Sequence, residues 1–219
     1  NGDIKNVDLS ELQTLKILGG EPFINVKYLE MLQNIDLTKV TLAITTNNSI
    51  FPRKWIDTLL KCKRVRLMIS IDGIDEVGEF VRYGMKQKRF TKNLHLWKEV
   101  SAHNTNIEIS FNYVFNILNC FNLNKTLEYT GAENFIVDLL TGPDYLNVQY
   151  LPDSLKEDIV PNINKFKDYG NIIDFMNNGS YKELTMLDFA NYCHFLEERL
   201  PLPEECEIIY NGIVKELYK

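Results

Sequence analysis

The sequence predicts an α/β fold with a parallel sheet, because β-rich runs alternate with helical patterns along much of the chain. Five such runs begin near positions 14, 40, 65, 107 and 135, and turn-forming residues follow the first three. Stretches with apolar residues at helical spacing separate the runs. Strands linked in this way lie parallel and are joined by right-handed crossovers.

The first strand ends abruptly in Gly19, Gly20, Glu21 and Pro22. An apolar run that stops in such residues is typical of a buried strand opening into a tight loop. Glycine adopts backbone angles closed to other residues, and proline stiffens the exit. Because ligands of parallel α/β folds bind at the carboxyl ends of strands, Glu21 is a candidate binding carboxylate. The alternative is an exposed glutamate in a strand-to-helix turn.

The helical segments follow from periodic apolar residues. Val26, Leu29 and Leu32 predict a helix after the loop, and Pro52 predicts the start of another. The other predicted helices span residues 8–12, 88–100, 123–129, 163–175 and 187–200. Asn211-Gly212 predicts a turn near the end of the sequence.

Composition limits the classes of function. The 219 residues are 45% hydrophobic and 25% charged, which is typical of a globular domain. A net charge of -6 argues against a nucleic-acid interface. No apolar run approaches the roughly 18 to 20 residues that cross a bilayer, so we expect a cytoplasmic protein without a membrane partner. The chain begins at Asn1, which we interpret as a processed or incomplete chain.

The four cysteines are scattered, and their spacing predicts no metal site. They are Cys62, Cys120, Cys193 and Cys206. None forms a Cys-x-x-Cys pair, and isolated cysteines are typically small buried hydrophobes. Cys193 and His194 are neighbours that would point about 100° apart on a helix, which makes them a poor chelating pair.

The strand-end motifs resemble those of the radical S-adenosylmethionine (radical SAM) superfamily. Gly-Gly-Glu-Pro at 19–22 is similar to the family motif that ends the second barrel strand and binds the cofactor's methionine amino group. Thr45-Thr46-Asn47 resembles the family's Thr-Asn-Gly, with Asn48 where glycine is usual. Ser70-Ile71-Asp72-Gly73 is similar to the family's Ser-Ile/Leu-Asp-Gly. Arg82 falls where many members have Arg-Gly, although Tyr83 follows it here.

The resemblance implies roles for individual residues. Gly19, Gly20, Glu21 and Pro22 would hold the cofactor amino group, since carboxylate and carbonyl oxygens accept from an ammonium. Arg82 would bind the cofactor carboxylate, for which a guanidinium is well suited. The residues expected to line the ribose or substrate side, or to make further polar contacts, are Asn47, Ser70, Asp72 and Asn112.

The resemblance also implies an architecture, a partial (β/α)6 barrel. The family's first unit carries Cys-x-x-x-Cys-x-x-Cys, whereas only 13 residues without cysteine precede Thr14. We therefore expect a barrel missing its first unit, with an iron–sulfur (4Fe-4S) cluster only in a longer chain. Residues 1–150 would form this truncated barrel. Residues 151–219 would form a mainly helical extension that resembles a twitch domain, the shortened relative of the SPASM domain.

Three hypotheses for function remain open from the sequence. The first is a radical SAM enzyme domain that binds S-adenosylmethionine for hydrogen abstraction from an unknown substrate, either a small molecule or a peptide. The second is a cluster-less, non-catalytic relative that serves as a binding module. The third is an unrelated α/β barrel enzyme that uses Glu21 and Asp72 as acid and base.

Overall fold

The fold is mixed α/β, with five parallel strands in one sheet. The computed structural model describes residue 9, residues 11–131 and residues 133–218. The strands follow chain order across the sheet, and the five predicted strands are confirmed. Their bounds are β1 Thr14–Ile17, β2 Thr41–Thr46, β3 Arg64–Ser70, β4 Ile107–Phe115 and β5 Phe135–Leu139.

Helices occupy most of the intervals between strands and the region after β5. Their bounds are α1 Val26–Gln33, α2 Ile56–Leu59, α3 Asp75–Val81, α4 Gln87–His103, α5 Leu123–Thr130, α6 Asp153–Ile159, α7 Tyr169–Asn177, α8 Glu183–Glu197 and α9 Glu204–Leu217. Short 3-10 turns at Pro22–Ile24 and Arg53–Trp55 lead into α1 and α2. In the part of the chain that the structure describes, every helix is too short or too polar to cross a membrane. Of the helix predicted over residues 8–12, residues 8 and 10 lie outside the described residues, and residues 9, 11 and 12 are not helical.

The chain divides into two compact units, and the first comprises Asn1–Ser70 and Lys88–Phe111. In this unit β1 pairs with β2 so that Ile17 lies opposite Ile44, and β2 pairs with β3 so that Thr46 lies opposite Ile69. Alternate residues of β2 are buried, as the two-residue period of a strand requires. The threonine that ends β2, Thr46, therefore shares the buried face with Ile44.

Helix α4 supplies the other main apolar surface of the first unit. Its buried residues are Phe90, Asn93, Leu94 and Trp97, which lie on one helical face. The Trp97 ring packs against Phe23 at 5.5 Å and against Phe51 at 5.1 Å between ring centroids. An asparagine on this apolar face requires a hydrogen-bond partner, which the segment after β2 provides.

The second unit comprises Ile71–Gln87 and Asn112–Lys219. Its core includes buried residues of α8 and α9, among them Phe189, Ile209 and Ile213. Cys193 and Cys206 are buried in the same helices, and Cys62 and Cys120 are buried elsewhere, as the sequence predicted. The predicted division of the chain at residue 150 stays a prediction.

Two predicted elements of the second unit differ from the structure. The helix predicted over residues 163–175 begins only at Tyr169. The Asn124 side chain holds the preceding segment in turns, since its Nδ2 donates to the Pro161 carbonyl and its Oδ1 accepts from the Lys165 amide. Asn211-Gly212 forms no turn but lies within α9. Gly212 is required by packing there, because a Cβ would come within 2.6 Å of a Leu155 methyl carbon.

Candidate functional site

The loop after β1 presents its backbone to open space. Gly19 and Gly20 have φ values of +89° and +55°, in the left-handed region that favours glycine. A Cβ at either position would meet none of the described heavy atoms within 4 Å beyond the adjoining residues. Glycine is therefore favoured at these two positions by the left-handed backbone conformation and not by a lack of space for a side chain. Leu18, beside them, is 54% exposed, so this strand end is accessible to a ligand.

The Glu21 carboxylate is held by three neighbouring donors. The Thr46 hydroxyl donates to both carboxylate oxygens at 2.9 Å, and the Asn47 backbone amide donates to Oε2 at 2.9 Å. The Phe23 amide donates to Oε1 at 3.3 Å, so Glu21 also caps the turn Pro22–Ile24. Pro22 is buried as the first residue of that turn, where its missing N–H is not needed. The carboxylate is therefore fixed by short-range contacts from two strand ends.

No cation compensates the charge of Glu21 among the described residues. Its three donors are a hydroxyl and two backbone amides, all neutral. A carboxylate has about four lone-pair positions, so these donors leave room for another. The geometry can therefore accept a hydrogen bond from a cationic ligand.

Two other predicted residues of the first unit lie at strand ends. Asn47 contributes its backbone amide to Glu21, while its side-chain Oδ1 accepts from the Ser49 amide at 2.9 Å. Its amide side chain therefore forms part of its own turn. Ser70 is the half-buried last residue of β3.

In the second unit, Asp72 and Arg82 form an ion pair. Arg82 Nε donates to Asp72 Oδ2 at 2.6 Å, and the Val114 amide donates to Asp72 Oδ1 at 3.0 Å. Side-chain exposures of 27% for Arg82 and 12% for Asp72 show that the pair is partly desolvated. Both oxygens of Asp72 are thus engaged, while the two terminal nitrogens of Arg82 bond to none of the other described residues. Asp72 orients the guanidinium and leaves its outer edge available.

Asn112 lies on β4, where its carbonyl accepts from the Ile71 amide at 2.9 Å. This bond belongs to the backbone, and the Asn112 side chain is half-buried. The residue is therefore placed next to the segment that carries Asp72, within the second unit.

Sequence reasoning missed two residues that organise these strand ends. Thr46 belongs to the motif Thr45-Thr46-Asn47, which by itself predicts no contact for it. The two-residue alternation of β2 is a signal that places Thr46 on the buried face. Asn119 is 1% exposed and donates to the Asp72 and Val114 carbonyls at 3.1 and 2.9 Å. Asn119 has no comparable signal, because its bond to the Asp72 carbonyl joins residues 47 positions apart in the chain.

The buried thiols have the electrostatics of core residues. Burial raises the pKa of Cys62 to about 11 and that of Cys193 to about 12. Burial also raises the pKa values of Cys120 and Cys206, and a thiol in this state is a poor nucleophile and a poor metal ligand. The described residues contain no group of three or more histidine, cysteine or acidic side chains that could hold a metal ion.

Comparison with known proteins identifies similar solved structures only. No protein-family model matches the chain, and no curated protein matches its sequence. The crystal structure of Streptococcus suis SuiB bound to the precursor peptide SuiA is 19% identical with a TM-score of 0.47, and the match covers 69% of this chain and 36% of that chain. Streptococcus suis SuiB bound to S-adenosylmethionine is 20% identical with a TM-score of 0.46, over 69% of this chain and 35% of that one. The chain therefore spans about a third of the length of these structures.

Proposed function

We propose that this chain is the S-adenosylmethionine-binding core of a radical SAM enzyme. The observation that carries the proposal is the Glu21 carboxylate, which a Gly-Gly-Glu-Pro loop presents at a strand end without a cation partner among the described residues. The resemblance of the other strand-end motifs supports the same function.

The donor set at Glu21 fits the ammonium of a methionyl group. Neutral donors orient the carboxylate and leave its charge uncompensated, so an N⁺–H donor adds a charge-assisted hydrogen bond. The open space in front of Gly19 and Gly20 lets a ligand approach the backbone carbonyls, which are further acceptors for an ammonium. In this proposal Pro22 keeps the exit of the loop rigid.

Within the second unit, Arg82 is the carboxylate-binding group that we propose. Arg82 has two terminal nitrogens available, and their parallel N–H bonds suit a carboxylate. Asp72 acts by orienting Arg82, because both of its oxygens are already engaged. Ser70, Asn112 and the exposed backbone around Asn47 are proposed for contacts to the ribose or substrate.

Such a cofactor would supply radical hydrogen abstraction after taking up one electron from a reduced iron–sulfur cluster, and this chain's residues would bind and orient it. The cysteines present do not fit an iron–sulfur cluster, because all four are buried and burial raises their pKa values. A cluster therefore belongs to this proposal only as part of a longer chain. A second candidate is a cluster-less binding module with the same ligand site. The substrate class stays open between a peptide and a small molecule.

The proposal extends to the architecture. Five parallel strands fit a partial barrel that lacks one (β/α) unit of six. Helices α6 to α9 all follow residue 151, which is the helical content expected of a twitch-like extension over residues 151–219.

The proposal is tested by isothermal titration of S-adenosylmethionine into the wild type and Glu21→Ala. Losing one charge-assisted bond weakens binding by about 1.5 to 3 kcal/mol, or roughly 10- to 150-fold in Kd. The control Glu30→Ala removes the same charge from an exposed position on α1 and should leave Kd unchanged.

A second ligand locates the contact. Methylthioadenosine lacks the amino and carboxyl groups of the methionine part of S-adenosylmethionine. Its affinity should therefore be the same for the wild type and Glu21→Ala. An unchanged affinity of Glu21→Ala for S-adenosylmethionine, or an equal loss for both ligands, would rule out the ammonium contact.

A further inference from the structure

Asn48, the residue after Asn47, is held in a strained position by three hydrogen bonds. Its φ is +57°, unusual for a residue other than glycine, and its side chain is fully buried. Its backbone amide donates to the Thr46 hydroxyl oxygen at 3.0 Å. The Thr46 hydroxyl has one hydrogen, and since its oxygen accepts from Asn48, that hydrogen is directed to Glu21.

The other two bonds tie Asn48 to helix α4 reciprocally. Asn48 Nδ2 donates to the Phe90 carbonyl at 3.0 Å, and Asn93 Nδ2 donates to the Asn48 carbonyl at 2.9 Å. Phe90 and Asn93 are three residues apart, so they lie on the same face of α4. All four groups are buried, which makes each bond costly to lose.

The same helical face also supports the segment after Glu21. Trp97, one turn beyond Asn93, packs against the ring of Phe23, whose backbone amide donates to Glu21. Helix α4 therefore braces two of the three donors that hold the carboxylate, the Thr46 hydroxyl through Asn48 and the Phe23 amide through Trp97.

The side-chain amide of Asn48 has an energetic cost in this position. Because Nδ2 must face the Phe90 carbonyl, Oδ1 is left buried without a partner among the described residues. Glycine would avoid both this unsatisfied acceptor and the strain of the left-handed backbone. What glycine would lose is the bond to α4.

We propose that Asn93 and Asn48 are positioning residues, which hold Glu21 in its binding geometry by clamping the end of β2 to α4. The consequence for S-adenosylmethionine rests on the proposed function, whereas the clamp itself concerns only contacts within the first unit. Neither residue touches the ligand in this proposal; both act through Thr46 and Glu21.

The first test is amide hydrogen exchange, which needs no ligand. In Asn93→Ala, protection of the Asn47 amide, which donates to Glu21, should fall at least tenfold. The matched control is Asn106→Ala in the same unit, whose Nδ2 also donates to backbone carbonyls, those of Leu59 and Cys62. Asn106 precedes β4, away from the carboxyl ends of the strands, so its variant should leave Asn47 protection unchanged. Equal protection of Asn47 in both variants would overturn the clamp.

The second test is binding. Asn93→Ala should raise the Kd for S-adenosylmethionine about three- to tenfold and leave that for methylthioadenosine unchanged, whereas Asn106→Ala should change neither. If Asn93→Ala does not fold, Asn48→Gly is measured instead. Glycine adopts the left-handed backbone conformation, so this substitution removes only the side chain of Asn48 and its bond to α4. Suppose that Glu21→Ala weakens binding of S-adenosylmethionine. If Asn93→Ala then loses protection of the Asn47 amide but keeps the wild-type Kd, the positioning role is overturned. An unchanged Kd in Glu21→Ala would instead refute the proposed function and leave the exchange result to decide the clamp.

Discussion

Replacing Thr46 by valine removes one hydroxyl and keeps the shape of the side chain. Thr46 is 1% exposed, donates to Glu21 and accepts from the Asn48 amide. Losing the bond to the carboxylate costs about 1.5 to 3 kcal/mol, and leaving the buried Asn48 amide unpaired costs about 1 to 3 kcal/mol. The added buried methyl group returns about 1 kcal/mol. We therefore expect the free energy of unfolding to fall by roughly 1.5 to 5 kcal/mol.

Urea unfolding followed by tryptophan fluorescence measures this change. Both tryptophans, Trp55 and Trp97, are buried in the first unit, so their emission reports the unit that contains Thr46. The control is Thr45→Val, the same substitution at a half-buried position one residue earlier on the other face of β2. It should change the free energy by no more than about 0.5 kcal/mol. Equal effects of the two substitutions would refute the hydrogen-bond network assigned to Thr46.

Two further predictions concern the second unit. Arg82→Met should lower the free energy of unfolding by about 1.5 to 4 kcal/mol, because the Asp72 carboxylate loses its cation. The control Arg64→Met breaks an exposed ion pair and should have little effect. Urea unfolding followed by circular dichroism measures both changes. Gly212→Ala should destabilise by up to about 2 kcal/mol, because its contact with α6 costs about 1 to 3 kcal/mol and the helix propensity of alanine offsets about 1 kcal/mol of this. Gly170→Ala, which has open space, should stabilise by up to about 1 kcal/mol. Equal losses at the two arginines, or a gain at Gly212, would contradict these contacts.

The strands could be predicted because each is marked by its own residues. Every predicted start, from Thr14 to Phe135, lies within one residue of the observed start. Apolar β-branched runs that end in glycine, asparagine or aspartate specify both the strand and its end. The same local signals predicted the strand-end position of Glu21, which the structure shows.

The rest depended on contacts between distant parts of the chain. The end of β2 meets Asn93 across 45 positions, and no spacing rule joins them. Residues 163–168 have helical periodicity but form no helix, because Asn124 of α5 accepts a hydrogen bond from the Lys165 amide. Gly212 has the composition of a turn but lies in a helix, because a neighbouring leucine needs the space. Tertiary contacts decided each of these cases against local propensity.

The two strand-end carboxylates differ in the one property that matters for binding a cation. Asp72 has its charge compensated by Arg82, so a cationic ligand there would have to displace a partner already at 2.6 Å. Glu21 is held only by neutral donors, so a cation can add its bond without breaking an ionic one. Substitution of Asp72 should therefore act first on stability and on the orientation of Arg82, and in the proposed function Glu21 is the residue that binds the ammonium. The third hypothesis, in which both residues act as an acid–base pair, requires Asp72 to give up contacts it already makes, because Arg82 donates to one of its oxygens and the Val114 amide donates to the other.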